Sequence, residues 1–275
     1  NVYPWMRLQA DTGARVQFIE APPTKIKRGQ QWNDRILESI QVNTRLVALG
    51  NIHWADGTRF DLEAIRKRTR EVGAWLVIDG TQSVGALPFD VKKIQPEALI
   101  CAGYKWLMGP YATGVAYFSP ELNKGVPVEE NWINRLHSEN FAGLVKYQSE
   151  YQPGALRYDV GERSNFILTP MLLAALRQVQ EWKPANIQAY CDRITQREIG
   201  RLRSHGFWIE EDAWRSKHLF GIRLPDHLSL ADVQKKLAKE KISVSFRGDA
   251  IRVSPHVYNT EKDIKKLADV LISSQ

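Results

Sequence analysis

Residues 79–106 read DGTQSVGALPFDVKKIQPEALICAGYKW, and the fold is most readily inferred from this segment. It begins with Asp79, which ends the apolar run WLVI, and it closes just after Lys105, which follows a second apolar run, ALICA. Short apolar runs bounded by polar, glycine-containing turns are typical of buried strands. Neighbouring parallel strands end at one edge of a sheet, where ligands bind in open α/β sheets. The stretch therefore predicts that Asp79 and Lys105 share one site.

The sequence around this stretch alternates short apolar runs with longer amphipathic ones, which indicates an α/β fold with a mostly parallel sheet covered by helices. Strands are predicted at residues 15–19, 45–49, 75–79, 98–102 and 114–118. Helices are predicted at residues 4–13, 32–40 and 61–72.

The second half of the chain is predicted to contain a long irregular segment, two helices and a small domain. Residues 120–165 are irregular and polar, with scattered aromatic residues, and long loops of this kind are often functional. Helical patterns follow at 171–182 and 185–204, separated by Pro184, where we place a boundary between a large domain (1–183) and a small α+β domain (184–275). In the small domain, strands are predicted at 207–209, at 219–223 and on both sides of an Arg-Gly-Asp turn at 247–249, with helices at 230–240 and from 261 onward.

Composition narrows the class of protein. The 275 residues are 43% hydrophobic, which is enough for a substantial core, and no apolar run approaches the ~18 residues of a membrane span. The net charge is +7, but lysines and arginines are scattered along helices, so we expect no nucleic-acid partner. The start, NVYPWMRLQ, lacks the features of a signal peptide, and we expect a cytoplasmic protein. The two cysteines, Cys101 and Cys191, are not spaced as metal ligands, so no metal is expected.

An acid and a lysine at neighbouring strand ends suit pyridoxal 5′-phosphate (PLP), whose aldehyde joins a lysine while a carboxylate keeps the pyridine nitrogen protonated. Gln82 can donate to the phenolic oxygen of the ring, and Tyr104 can reach the phosphate. A capping acid with a surface lysine, a phosphate site or a metal-assisted site would also fit this spacing. The chain has neither the G-x-x-x-x-G-K-[ST] nor the G-x-G-x-x-G motif, and spacing alone does not choose between these readings.

Several motifs together resemble the class V aminotransferase-like enzymes of PLP fold type I, a family that includes cysteine desulfurases, selenocysteine lyases, kynureninases and isopenicillin-N-epimerase-like proteins. LVIDGTQSVGALPFDV and CAGYKWLMGP with GVAYF are similar to the cofactor segment of the family. NVYPW, GNIHWADGTRFDLEAI, RYDVGERSNF and IRVSPHVYNTEKDIKKL follow in the family's order, so the resemblance covers nearly the whole chain.

The resemblance implies a role for individual residues. Lys105 would be the Schiff-base lysine, Asp79 the partner of the pyridinium nitrogen, and Gln82 the donor to the phenolic oxygen. Arg252 would bind the substrate α-carboxylate, since a guanidinium can pair with it in a bidentate manner. Tyr104 would contact the phosphate, and so would Ser164 or Arg163 from the partner of a homodimer, unless their segment is an ordinary polar loop. His53 and Trp54 would contact the substrate.

The chain departs from the family in two respects. Desulfurases carry a nucleophilic cysteine just before the carboxylate-binding arginine, whereas this chain has the short segment SFRGDAIR there. We therefore expect an aminotransferase or epimerase-like enzyme acting on an amino acid or amine, with a kynureninase-like or carbon–sulfur lyase, or a truncated non-catalytic relative, as the alternatives. The family also has a region before NVYPW that holds a phosphate-binding turn and a ring-stacking aromatic residue, so we expect that an N-terminal region is missing.

Overall fold

A computed structural model describes residues 2–275, so Asn1 of the NVYPW motif lies outside the described residues. The helices are α1 (Tyr3–Thr12), α2 (Arg28–Ser39), α3 (Leu62–Val72), α4 (Val91–Ile94), α5 (Leu168–Trp182), α6 (Pro184–Ser204), α7 (Leu230–Lys239) and α8 (Glu261–Ile272). The strands are β1 (Leu46–Gly50), β2 (Trp75–Asp79), β3 (Ala98–Ala102), β4 (Gly114–Phe118), β5 (Phe220–Arg223), β6 (Ser245–Arg247) and β7 (Ala250–Val253).

The first sheet has the strand order β1-β2-β3-β4. β1, β2 and β3 are parallel, and β4 returns antiparallel to β3. Leu76 and Ile78 of β2 are fully buried, because helices cover the sheet. α3 begins where the Asp61 side chain accepts hydrogen bonds from two backbone amides, and it ends at Gly73 in a left-handed conformation. The predicted α/β fold with a mostly parallel sheet is confirmed.

The second sheet is antiparallel, with the order β5-β7-β6. Its apolar face forms a separate core with α6, α7 and α8, which includes Ile222, Ile251 and Leu271. The turn at residues 247–249 joins β6 to β7, as predicted. The boundary predicted at residues 183/184 falls at the junction of α5 and α6, and it stays a prediction.

Two predicted strands are wrong. Residues 15–19 pair with no strand; instead, the Ile19 carbonyl accepts a hydrogen bond from the Trp32 indole over 2.9 Å and Ile19 packs against the core. Residues 207–209 form a single bridge between Trp208 and Arg223, although Phe207 is buried as the alternation implies. In both segments the apolar pattern indicates which side chain is buried but not whether a strand edge is available.

Residues 120–165 form a long connection with short 3₁₀ turns, as their composition predicts. An isolated antiparallel bridge pairs Arg135 with Tyr151 in the middle of this connection. Within the described part of the chain, no helix combines the length and the apolarity that a membrane crossing requires.

Candidate active site

The candidate site lies at the edge of the first sheet where the parallel strands end. Gly50, the last residue of β1, is in register with Asp79, the last residue of β2, and Asp79 is in register with Ile100 of β3. β3 ends at Ala102, shortly before Lys105. The parallel register therefore carries both ends of the stretch from Asp79 to Lys105 to the same sheet edge.

Backbone amides hold the Asp79 side chain and the turn after it. Oδ1 of Asp79 accepts a hydrogen bond from the Thr81 amide over 2.9 Å. The Thr81 hydroxyl in turn accepts one from the Ala102 amide over 3.1 Å, and this bond connects the exit of β2 to the exit of β3. The carboxylate is thus fixed where a cationic group of a ligand would meet it.

Gln82 is buried, and two distant groups fix its position. Its Oε1 accepts a hydrogen bond from the Trp106 indole over 3.1 Å, and its backbone carbonyl accepts one from His218 Nε2 over 2.8 Å. Within residues 2–275, the side-chain Nε2 donates to no acceptor. The amide is therefore oriented with its NH₂ group available to an acceptor on a ligand.

His218 supports this arrangement in a neutral state. Its Nδ1 lies 2.7 Å from the amide nitrogen of Gln188, which has only hydrogens to offer, so Nδ1 accepts and Nε2 donates to Gln82. Burial lowers the pKa of His218 to about 4. The ring also meets the Trp106 indole edge-on, with 4.5 Å between the centroids.

The amine of Lys105 is accessible, and its surroundings favour the neutral form. Partial desolvation lowers the pKa of Lys105, the positive charges of Arg252 and Arg247 lower it further, and Asp79 acts in the opposite direction. A lowered pKa increases the fraction of free amine near neutral pH, which a nucleophilic lysine requires. The two arginines and Asp79 are therefore near enough to Lys105 to act on its charge.

Arg252 lies on β7 with its guanidinium directed to the loop after β1. Nη1 donates to the Trp54 carbonyl over 2.9 Å, and Nη2 lies 3.4 Å from the Ser245 hydroxyl. Its Nε is buried and has no hydrogen-bond partner in the described chain. Burial, with a further contribution from Arg247, lowers the pKa of Arg252. A carboxylate is the ligand that would satisfy such a group.

His53 and Trp54 lie in the loop that contacts Arg252. Nδ1 of His53 is 2.9 Å from Oδ1 of the buried Asp56, and the Trp54 ring is 55% exposed. Although burial raises the pKa of Asp56, hydrogen bonding to His53 and the charges of His53, Arg28 and Arg223 hold it well below its ordinary value. His53 is therefore fixed by a structural ion network, while Trp54 presents an open face to the site.

Of the two residues predicted to bind the phosphate, Tyr104 lies beside the Lys105 amine. The Tyr104 ring stacks on Tyr111 with 4.2 Å between the centroids, and its centroid is 5.7 Å from the Lys105 amine. Ser164 is exposed in the loop before α5. No hydrogen bond or ion pair in the described chain joins it to Lys105. Within residues 2–275 no group of three or more metal-ligating side chains is present either.

Sequence reasoning missed Trp106, His218 and Arg247 as members of this site. Trp106 directly follows Lys105, so its indole could have been considered as a donor to Gln82. His218 is 136 residues from Gln82, and no local pattern connects the two. Arg247 was assigned only to the turn between β6 and β7.

A lysine, an acid and an oriented amide at the ends of parallel strands match the arrangement expected of the PLP enzymes of fold type I. The chain belongs to the aminotransferase class-V family, whose profile matches residues 1–267. Pyridoxal 5′-phosphate is the cofactor of this family.

Two curated relatives illustrate the likeness. A probable cysteine desulfurase of Methanothermobacter thermautotrophicus is 32% identical over 98% of this chain and 69% of the relative. A cysteine desulfurase of Synechococcus elongatus is 29% identical over 69% of this chain, but only 29% of the relative is covered. The chain thus spans less than a third of that relative's length.

Solved structures share the fold at lower identity. The apo cysteine desulfurase from Thermococcus onnurineus superposes with a TM-score of 0.80 at 21% identity, over 99% of this chain and 69% of that one. The cystine C-S lyase C-DES, in complex with its product cysteine persulfide, superposes with a TM-score of 0.84 at 19% identity, over 99% and 72% of the two chains. At these identities the likeness concerns the fold.

The residues present fit the cofactor. An accessible amine of lowered pKa suits its aldehyde, and a carboxylate held by a backbone amide suits its ring nitrogen. The available NH₂ of Gln82 suits its phenolic oxygen, and the Trp106 bond keeps that donor in place. Lys105, Asp79 and Gln82 thus suit the aldehyde, the ring nitrogen and the phenolic oxygen of the cofactor in turn.

Proposed function

We propose that this protein is a PLP-dependent enzyme acting on an amino acid, with Lys105 as the catalytic residue. The observation that carries the proposal is the shared sheet edge: β2 ends at Asp79, in register with Ile100 of β3, and Lys105 follows shortly after the end of β3. Burial and the charge of Arg252 also lower the pKa of Lys105. In this proposal Asp79 holds the ring nitrogen, Gln82 the phenolic oxygen and Arg252 the substrate carboxylate.

The cofactor and the side chains of the protein would have different roles in the reaction. When bound, PLP supplies an electron sink that stabilises negative charge at the substrate Cα. As a free amine, Lys105 would take the proton from the substrate Cα and would later return it. Arg252 orients the bond that breaks by fixing the carboxylate, and Trp54 covers the substrate from the loop after β1.

Persulfide-forming desulfuration is not part of the proposal. Cys101 and Cys191 are both buried, and burial raises the pKa of each thiol to about 12, so neither is a nucleophile near neutral pH. The short β6–β7 turn contains no cysteine. The reactions that remain are transamination or epimerisation, which we take as the first candidate, and elimination.

Elimination is the second candidate because a specific likeness favours it. The cystine C-S lyase C-DES shares the fold, and a lyase of this kind would need only the Lys105 amine as proton carrier. Product analysis with cystine, kynurenine and alanine separates the two candidates. Pyruvate from cystine or anthranilate from kynurenine identifies a lyase. Racemised alanine identifies the first candidate, and so does pyruvate formed from alanine with transfer of the amino group to the cofactor.

The proposal includes a homodimer with the active sites near the interface, in the cytoplasm. Phe166 and Ile167, next to Ser164, are 89% and 73% exposed, and Tyr111, which stacks on Tyr104, is 75% exposed. Exposed apolar side chains of this size suit an interface with a second copy. Light scattering on the wild type and on Phe166→Ser tests the dimer; a monomeric wild type contradicts it.

The experiment that tests the function is chemical labelling. The protein is incubated with PLP, reduced with borohydride and digested, and the modified peptide is identified by mass spectrometry. We expect the cofactor on Lys105 and its loss in Lys105→Ala, with Lys124→Ala as a control on an exposed lysine. Labelling of another lysine, or none, contradicts the proposal.

A further inference from the structure

Arg247 and Arg252 both contact Trp54. Arg252 donates to the Trp54 carbonyl over 2.9 Å, and the Arg247 guanidinium lies 5.9 Å from the centroid of the Trp54 ring. The β6–β7 hairpin pairs Ser245 with Arg252 and Arg247 with Ala250, so both arginines project from one small sheet. The hairpin thus presents two guanidinium groups to a single aromatic residue of the site.

Neither arginine is neutralised by the chain. Within residues 2–275, no carboxylate forms an ion pair with Arg247 or Arg252, and the one side-chain hydrogen bond of Arg247 goes to the Phe246 carbonyl over 2.7 Å. Burial and the charge of Arg247 together lower the pKa of Arg252. Two adjacent cations of this kind repel one another, and bound anions relieve that repulsion.

A cavity of about 530 Å³ lies beside Trp54 and Arg247. Two carboxylates of its lining are already engaged: Asp56 pairs with Arg28 and Arg223, and Asp249 pairs with Arg223 over 2.8 Å. Glu20 is the lining carboxylate without an ion pair in the described chain. The cavity is large enough for an amino-acid side chain. Among the arginines that line it, Arg247 is the one without an ion pair within residues 2–275.

We propose that Arg247 determines substrate specificity by binding an anionic group on the substrate side chain, so that the substrate is an amino acid with an acidic side chain. This inference rests on the proposed function, in which Arg252 takes the α-carboxylate. Arg247 then binds the second anion from the cavity, and Trp54, between the two arginines, packs against the carbon chain that links the two anionic groups.

The first test measures binding without catalysis. Calorimetry on the full chain, with and without PLP, compares succinate with succinamate, which replaces one carboxylate with an amide of nearly the same shape. We expect succinate to bind at least about tenfold more tightly, because the second carboxylate gains charge-assisted hydrogen bonds from Arg247. The preference should disappear in Arg247→Met and persist in Arg45→Met, whose exposed arginine precedes β1 at the opposite edge of the sheet.

Two further variants keep the test decisive. Arg247→Gln replaces Arg247→Met if circular dichroism shows that the latter does not fold. Glu20→Gln should strengthen succinate binding, because it removes from the cavity lining the carboxylate that has no ion pair in the described chain. An Arg247 variant that folds and retains the full preference for succinate overturns the proposal. So does a wild type that binds succinate and succinamate equally.

The second test compares kcat/KM for aspartate and asparagine, and for glutamate and glutamine. We expect the acidic member of a pair to be preferred, with the ratio falling at least about tenfold in Arg247→Met, mainly through KM. If PLP labels Lys105 but neither ratio depends on Arg247, this inference fails and the proposed function stands. If the succinate preference depends on Arg247 but Lys105 is not labelled, the proposed function fails and the anion site stands.

Discussion

The Trp106 indole donates a hydrogen bond to Oε1 of Gln82 over 3.1 Å, and this bond determines which end of the amide faces a ligand. Without it, the two ends of the Gln82 amide could exchange places at little cost in shape. An acceptor on a ligand, such as a phenolic oxygen, is matched only when the NH₂ group points towards it. In the proposed function Trp106 is therefore a positioning residue, which acts on the cofactor through Gln82.

We expect Trp106→Phe to weaken PLP binding about fivefold, because it removes one net hydrogen bond while keeping an aromatic side chain in the core. Titration of the visible cofactor band measures the affinity. Trp132→Phe is the matched control, since its indole bonds to Glu162 in the loop of residues 120–165. An unchanged affinity in Trp106→Phe would show that Gln82 needs no such support.

The ionisation of Lys105 should respond in opposite directions to its neighbours. Arg252 lowers the pKa of Lys105 and Asp79 raises it, so Arg252→Met should raise the pKa and Asp79→Asn should lower it further. Nuclear magnetic resonance of ¹³C-methylated lysines, with Lys105→Ala to assign the signal, gives the titration curve. A shift of the same sign in both variants would contradict the geometry, and Arg45→Met should cause none.

Sequence reasoning predicted the parts of the fold that depend on burial. The strands Trp75–Asp79 and Ala98–Ala102 were predicted because each is a continuous apolar run, although Trp75 and Ile100 are each 46% exposed. The strand predicted at residues 15–19 was wrong, because pairing requires a free neighbouring edge and the Ile19 carbonyl is bonded to an indole instead.

Of the site residues, only those whose chemical type and place in one sequence segment indicate their role could be predicted. Asp79, Lys105 and Gln82 lie in one continuous segment, so spacing and resemblance both reach them. His218 acts on Gln82 from 136 residues away, and Arg247 acts through its charge on groups that the fold assembles. Contacts of this kind depend on how the two sheets pack, which no local pattern encodes.

The ion network behind His53 should make folding sensitive to Asp56. Asp56 is buried and pairs with Arg28 over 2.9 Å and with Arg223 over 3.1 Å, so Asp56→Asn removes the buried carboxylate that the two cations share. We expect a loss of about 2–4 kcal/mol in the free energy of unfolding, measured by denaturant titration, because Glu210 still pairs with Arg28 and Asp249 with Arg223. Asp226→Asn, at a fully exposed carboxylate, should leave it unchanged.

The same network predicts a pH dependence. The folded pKa of Asp56 lies below its ordinary value of 3.8, so its stabilisation is fully present above that pH and is lost as the pH falls further towards the folded pKa. The difference in unfolding free energy between wild type and Asp56→Asn should therefore be constant from pH 7 to about pH 5 and shrink in stronger acid. A difference that grows as the pH falls would exclude Asp56 as the group responsible.

Gly85 brings the segment after Asp79 against the backbone that follows Lys105. Its φ is +101°, and an added Cβ would lie 2.4 Å from the Trp106 carbonyl oxygen. Gly73 also has a positive φ, +71°, but nothing lies within 4 Å of an added Cβ. We expect Gly73→Ala to cost about 1–2 kcal/mol of unfolding free energy and to leave PLP affinity unchanged. Gly85→Ala should cost about 2–5 kcal/mol and also weaken PLP binding, because Trp106 must move and releases Gln82. Equal effects of the two substitutions on stability and cofactor affinity would mean that the contact between Gly85 and Trp106 does not hold the site together.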